Sequence, residues 1–192
     1  MRTGRRSNNE GFSLVELIIV IAIMAILVGV MAISASSLTG RKVKKCADEI
    51  VSTMERARVL TLGKEQNDVE CVLTYEGKEY HAKIYQKGTL VSDRIVGKDP
   101  IEIKVYFEDG ASATGYTLTE IDGKTPYATP PYATPGEKGL HLVFNRASGA
   151  FEQNTNEAGG HEKEYCRRIV VTNGSRTIEI TTVGRTGKIL TK

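Results

Sequence analysis

Proline is scarce in this chain, which has five prolines and no tryptophan in 192 residues. Four of the prolines lie within residues 126–135, and none lies between Phe12 and Asp99. A proline inside a helix removes a backbone hydrogen bond and kinks or ends the helix. The first half of the chain therefore lacks the residue that most often breaks helices, and the sequence permits a long helix there.

Strong charge imbalance and catalytic motifs are also missing. The chain has 26 basic and 23 acidic side chains, a formal net charge of +3. Removal of residues 1–11 would take away three arginines and Glu10 and bring the balance closer to neutral, so composition gives no support for a nucleic-acid partner. The sequence has no Gly-rich phosphate loop, no Gly-x-Ser-x-Gly elbow and no paired-acid motif. We therefore expect neither enzyme activity nor a cofactor.

The longest apolar run covers residues 17–33, seventeen positions without a charged side chain. With its flanks, over residues 12–38, it is long enough at about 1.5 Å per residue to cross a hydrocarbon core of about 30 Å. Glu16 lies at the start of this run. An ionisable side chain in hydrocarbon costs roughly 2.5 to 3.5 kcal/mol on insertion scales, so the acid indicates a functional role and requires a partner.

Residues 11–16, which read Gly-Phe-Ser-Leu-Val-Glu, follow a basic leader and precede the apolar run. This combination resembles the prepilin signature of type IV pilins and type II secretion pseudopilins. The resemblance implies that residues 1–11 are a leader, which a prepilin peptidase removes by cleavage between Gly11 and Phe12 before it methylates the new amino group of Phe12. It also implies that Glu16 meets the amino group of a neighbouring subunit during assembly, so that two buried charges neutralise each other.

The same resemblance implies a location and a set of partners. The subunit would lie in the cytoplasmic membrane as a single-pass protein with its head outside, in contact with membrane lipid, and would then enter a cell-surface or periplasmic filament. Its partners would be the prepilin peptidase, the inner-membrane assembly platform and other pilin or pseudopilin subunits. The implied function is filament assembly in a type IV pilus or a type II secretion-type pseudopilus.

Other interpretations of the N-terminal segment stay open. A secretory signal also has a basic and an apolar region, and residues 32–34 offer a small-residue cleavage site, although the run exceeds the usual length of about 7 to 15 residues. The other alternative is an unprocessed anchor that carries a ligand-binding β-domain. Just beyond the span lie Arg41, Lys42, Lys44 and Lys45, which outnumber the leader arginines, so charge alone leaves the orientation open. These cations could contact acidic lipid headgroups or neighbouring subunits, or form a solvated helix face.

The helical pattern continues past the span. Apolar residues recur at intervals of three and four from Val43 to Ala57, and Gly63 is a typical helix end. We therefore predict one helix over residues 12–62, with an amphipathic half over residues 39–63. The predicted fold class is α+β, a pilin-like long N-terminal helix, transmembrane in its first half, packed on an antiparallel β-sheet head over residues 64–192.

Alternating apolar and polar residues predict the strands of the head. The predicted strands cover residues 69–75, 80–84, 101–107, 140–144, 168–172 and 177–181. The first two form a hairpin, and the last two flank an Asn173-Gly174 turn that favours a tight connection. Residues 184–190 add a terminal turn and strand.

The order of long helix, strands and closing hairpin resembles the H-type minor pseudopilins and related minor pilins. Major subunits often carry a proline early in the mature helix, and its absence here favours a minor subunit, while a major pilin for adhesion or motility stays open.

Residues 126–130 and 131–135 both read Pro-Tyr-Ala-Thr-Pro. This repeat predicts a stiff, extended loop over residues 124–136 that either presents Tyr127 and Tyr132 to a partner or serves as a spacer.

Cysteine and histidine are sparse, with three of each. Cys71 and Cys166 both fall in the predicted head, where an oxidising exterior would allow a bridge, and this pair is a candidate disulfide. Cys46 falls on the apolar side of the helix, and we expect it to pack as a small apolar residue. His161 and Glu162 near Cys166 lack a second histidine at metal-site spacing, so no metal is predicted.

Overall fold

The computed structural model describes residues 13–63, 69–123 and 138–192, with residues 30–39 as backbone only. The predicted leader, Phe12 and the Pro-Tyr repeat lie outside the described residues. The chain divides into two compact units, Met1–Leu38 and Thr39–Lys192. The predicted helix is confirmed over α1 (Leu14–Leu62), which supplies residues to both units.

The first unit contains the apolar start of α1. The large apolar side chains between residues 14 and 28 are 47 to 73% exposed, so the described part of this unit leaves them uncovered. Within the described residues, no helix offers an apolar segment long enough to cross a membrane. The span predicted over residues 12–38 is therefore not confirmed and stays a prediction.

The second unit is an α+β head, in which the end of α1 packs against antiparallel sheets, as the sequence predicts. Its strands are β1 (Val69–Glu76), β2 (Glu79–Gln86), β3 (Thr89–Lys98), β4 (Glu102–Tyr106), β5 (Gly115–Thr117), β6 (Ile121–Gly123), β7 (Leu140–Val143), β8 (Asn156–Ala158), β9 (His161–Lys163), β10 (Arg168–Thr172), β11 (Thr177–Val183) and β12 (Lys188–Thr191). A 3-10 helix covers Leu118–Glu120 between β5 and β6.

The strands form three sheets in the described residues. Their orders are β3-β2-β1-β7, β12-β11-β10-β4-β5 and β6-β8-β9. Both predicted hairpins are confirmed, because β1 pairs antiparallel with β2 and β10 pairs antiparallel with β11. In the second hairpin the Asn173 side-chain oxygen accepts a hydrogen bond from Arg176 N–H at 2.9 Å, which closes the turn.

The core of the head lies between one face of α1 and the two larger sheets. The fully buried residues on this helix face are Val43, Cys46, Ala47, Ile50, Met54 and Ala57. Their spacing of three and four positions matches the turn of an α-helix, so one stripe of α1 enters the core. It belongs to the same cluster as Leu73 of β1, Ile103 of β4 and Ile169 of β10. Burying a large apolar side chain contributes about 1.5 to 3 kcal/mol, so Ile50 and Met54 are major anchors.

Arg58 ties the end of α1 to two turns of the head. Its Nε donates a hydrogen bond to the carbonyl of Gly149 at 3.1 Å, and its Nη2 donates to the carbonyl of Thr186 at 2.9 Å. Gly187 follows in the second turn, and a Cβ added there would lie 1.7 Å from the Gly149 carbonyl oxygen. The contact between the two turns therefore requires glycine at position 187.

Gly187→Ala is expected to destabilise the head by about 1 to 3 kcal/mol more than Gly174→Ala, because overpacking adds a cost of that size. Both glycines have positive φ, +64° and +83°, but a Cβ added at Gly174 meets no heavy atom within 4 Å. Gly174→Ala therefore carries only the conformational cost of the left-handed region, about 1 to 2 kcal/mol. Urea unfolding of the two full-length variants measures the difference. Equal losses would contradict the tight contact at Gly187.

Candidate functional site

The start of α1 places Glu16 in the first helical turn. Ser13 precedes the helix, and its hydroxyl oxygen accepts a hydrogen bond from Val15 N–H at 3.2 Å. This bond satisfies one of the backbone donors that a helix start leaves without a partner. Glu16 occupies the third helical position and is exposed. A carboxylate there also lies near the positive end of the helix dipole, so Glu16 can stabilise the start of α1.

The predicted processing residues, Gly11 and Phe12, lie just before this turn and outside the described residues. Their cleavage and methylation therefore stay predictions. Among the described side chains, none forms an ion pair with Glu16. The carboxylate is thus available to a partner from outside the described chain.

A buried acid–imidazole pair lies on one face of the β3-β2-β1-β7 sheet. Glu70 of β1 is fully buried, and His141 of β7 is 2% exposed. His141 Nδ1 and Glu70 Oε1 are 2.6 Å apart. Glu70 is opposite Val143 and His141 is opposite Val72 in the strand register, so the two side chains are diagonal neighbours. No sequence pattern indicates this pair, because its members are 71 positions apart.

The backbone of His141 is held by the segment that leads into β8. The Asn156 side chain accepts a hydrogen bond from His141 N–H at 2.8 Å and donates one to its carbonyl at 2.8 Å. Thr155 donates a second bond to the same carbonyl at 3.0 Å. Glu70 Oε2 and His141 Nε2 are buried without a hydrogen-bond partner among the described residues. Each buried polar atom without a partner costs about 1 to 3 kcal/mol. Loss of the hydrogen bond between Glu70 and His141 would leave further buried polar atoms without a partner, so this bond matters for stability.

A basic cleft lies between the second half of α1 and two parts of the β-structure. We define it by its lining residues, Arg41, Lys44, Lys45, Asp48, Glu49, Ser52, Arg94 and Arg176, which enclose about 530 Å³. Arg94 Nη1 lies 3.4 Å from Glu49 Oε2. Arg176 lies over the helix, since a Cβ added at Gly40 would be 3.4 Å from Arg176 Cδ. The fold thus adds two arginines to the helix cations seen in the sequence.

The candidate disulfide between Cys71 and Cys166 is not formed, since all three cysteines are free and buried. Cys71 lies on β1, and Cys166 precedes β10 in a different sheet. Burial raises the pKa of all three thiols to about 12. At neutral pH they are therefore protonated and poor nucleophiles. Cys46 packs on the helix face in the core, as predicted.

The histidines outside the buried pair lie on strands at the surface. His161 of β9 is exposed, whereas Cys166 is buried, so the two do not share one environment. His81 Nδ1 lies 2.9 Å from Asp93 Oδ1, which joins β2 to β3. Within the described residues, no group of three or more acidic, cysteine or histidine side chains is placed to hold a metal ion.

The N-terminal segment matches a known family model. Residues 6–33 match the model described as the prokaryotic N-terminal methylation motif. The match covers the predicted cleavage position, Glu16 and the apolar run. The match supports the assignment of this chain as a subunit of the type IV pilin or pseudopilin class. No curated protein and no solved structure matches the chain, and the H-type resemblance stays a prediction.

Proposed function

We propose that this chain is a pilin-like structural subunit of a type IV pilus or a type II secretion-type pseudopilus, and that it is a minor subunit. The observation that carries the proposal is the N-terminal methylation motif over residues 6–33. In this proposal a prepilin peptidase removes residues 1–11 and methylates Phe12. Residues 12–38 hold the subunit in the cytoplasmic membrane, with the head outside, until it enters the filament.

Assembly in this proposal depends on the exposed start of α1. Large apolar side chains between residues 14 and 28 are 47 to 73% exposed, and helices of neighbouring subunits would cover them. Glu16 lies on the same segment and has no ion partner among the described side chains. The amino group of Phe12 from a neighbouring subunit would neutralise it. The same charge buried alone would oppose assembly.

The assignment as a minor subunit rests on the helix and the head. Residues 13–98 contain no proline, and α1 continues from Leu14 to Leu62. A helix of this kind lacks the proline break that is common in major subunits. The head ends in the β10–β11 hairpin and β12, the order that suggested the H-type resemblance. The function of the subunit would be assembly with other subunits rather than catalysis.

The mature N-terminus tests this function directly. We expect the membrane-derived protein to begin at Phe12 and to carry one added methyl group in cells with an active prepilin peptidase. In cells that lack the peptidase, the chain should retain residues 1–11. Mass spectrometry of the N-terminal peptide from both strains measures the outcome.

Two other results would contradict the proposal. A start at Met1 in both strains would indicate an unprocessed anchor with a binding domain. A start near Ala35 would indicate a secreted domain released by a signal peptidase. A catalytically inactive peptidase, produced at the normal level, is the matched control because it separates cleavage from the mere presence of that protein.

A further inference from the structure

The basic cleft gathers cations from parts of the chain that are distant in sequence. Three come from α1, Arg94 comes from β3, and Arg176 comes from the β10–β11 turn. Five cationic and two acidic side chains face the same space of about 530 Å³. Among the described residues, only Arg94 of these cations forms an ion pair, with Glu49 at 3.4 Å. The cleft therefore presents uncompensated positive charge to an external anion.

An exposed apolar side chain lies beside these cations. A second cleft of about 320 Å³ shares Lys45 with the basic cleft and includes Ile95. Ile95 is 51% exposed. Cations next to exposed apolar residues match the boundary between lipid headgroups and acyl chains. A free phosphate ion would use only the cations.

We infer that the basic cleft binds the phosphate headgroup of an anionic membrane lipid while the subunit is in the membrane. Arg41 lies three positions past Leu38, the end of the proposed span, so the cleft would start at headgroup level. Among the described residues, no aromatic one lines the cleft, although stacking on aromatic rings is the usual way to hold single-stranded nucleic acid. The position of the cleft and its apolar surroundings therefore favour a lipid headgroup over a free phosphate ion or a nucleic acid.

This inference rests on the proposed membrane stage of the subunit but goes further, since it assigns a role to two arginines of the head. Basic residues beside a span attract anionic lipid in many proteins. Here Arg94 and Arg176 are far from the span in sequence, and only the fold brings them to the helix cations. The inference thus requires that the lipid preference depend on the folded head.

Native mass spectrometry of the full chain in a non-ionic detergent tests the cleft. The probes are phosphatidylglycerol and phosphatidylcholine with the same acyl chains. We expect the wild-type chain to retain phosphatidylglycerol preferentially. Each basic side chain at an anionic headgroup contributes roughly a fivefold factor in binding. The double variant Arg94→Gln/Arg176→Gln should therefore lose about 25-fold in phosphatidylglycerol binding.

Three controls make the result specific to the cleft. Arg56→Gln/Arg185→Gln removes the same charge from two exposed arginines outside the cleft and should bind like the wild type. Arg94→Lys/Arg176→Lys keeps the charge and should retain most of the preference. This variant also provides a readout if the Gln variant fails to fold, which circular dichroism reports. Inorganic phosphate at the lipid concentration should not displace the lipid.

Several outcomes would overturn the inference. One is equal retention of the two lipids by the wild type, and another is unchanged binding in the Arg94→Gln/Arg176→Gln variant. Displacement by inorganic phosphate would make the cleft a phosphate site. Competition by a single-stranded oligonucleotide that depends on the two arginines would make it a nucleic-acid site. These results do not depend on the mature N-terminus, so failure of the lipid site and failure of the proposed function are separate findings.

Discussion

Glu70→Ala is expected to lower the free energy of unfolding of the head by about 3 to 5 kcal/mol, the usual cost of breaking a buried pair from one side. Glu70 is fully buried, and its carboxylate lies 2.6 Å from His141 Nδ1. The substitution leaves that nitrogen without its partner, and Nε2 of the same ring already has no hydrogen-bond partner among the described residues. Alanine also leaves a cavity that the sheet can fill only in part.

A double-mutant cycle separates the broken pair from the cavity. Glu70→Met/His141→Leu replaces both members with apolar side chains and is expected to unfold within about 1 kcal/mol of the wild type, because such replacements are often neutral or stabilising. Glu102→Ala, on β4 with its side chain half exposed, should change stability little. Urea unfolding of the full chain in detergent, followed by near-ultraviolet circular dichroism, measures all variants. The single variants of this cycle are Glu70→Met and His141→Leu, and a loss in the double variant equal to the sum of their losses would contradict coupling within the pair.

Part of the head could be predicted because some of its strands alternate between buried residues and more exposed ones. β4 and β10 show this alternation, with Ile103, Val105, Ile169 and Val171 buried. The sequence does not predict β3. Its first seven residues include no buried one, and apolar and polar residues do not alternate along it. It is an edge strand whose structure depends on pairing with β2. β5, β6, β8 and β9 are three residues long, too short to show a period.

The candidate sites also differ in whether the sequence alone could reveal them. Glu16 could be found because an acid next to an apolar run conflicts with its surroundings in a single stretch of sequence. Glu70 and His141 could not, because 71 positions separate them and only the pairing of β1 with β7 makes them neighbours. The helix cations of the basic cleft were visible as a cluster, whereas Arg94 became part of it through the packing of β3 beside α1.

Glu16→Ala is expected to reduce incorporation of the subunit into filaments at least tenfold, roughly the effect of 1.4 kcal/mol and well below the cost of an unpaired buried charge. Without the carboxylate, the amino group of a neighbouring Phe12 would enter the filament core unpaired. The structure also offers a different role for Glu16, because it is the third residue of α1, three positions after Ser13. A side chain at that position can stabilise the helix start by bonding back to the residue before the helix.

Glu16→Gln distinguishes the two roles, because glutamine keeps the capacity to cap the helix but carries no charge. If Glu16 pairs with an amine, Glu16→Gln should fail in assembly as severely as Glu16→Ala. The matched control is Ser13→Ala, which removes the other helix-start contact at a cost of about 1 kcal/mol and should assemble nearly normally. The measurement is the amount of mature subunit in the sheared filament fraction relative to the membrane fraction, with N-terminal mass spectrometry to confirm that each variant is cleaved. Normal assembly of Glu16→Gln would assign the acid to the helix start and remove the charge-pairing step from the mechanism.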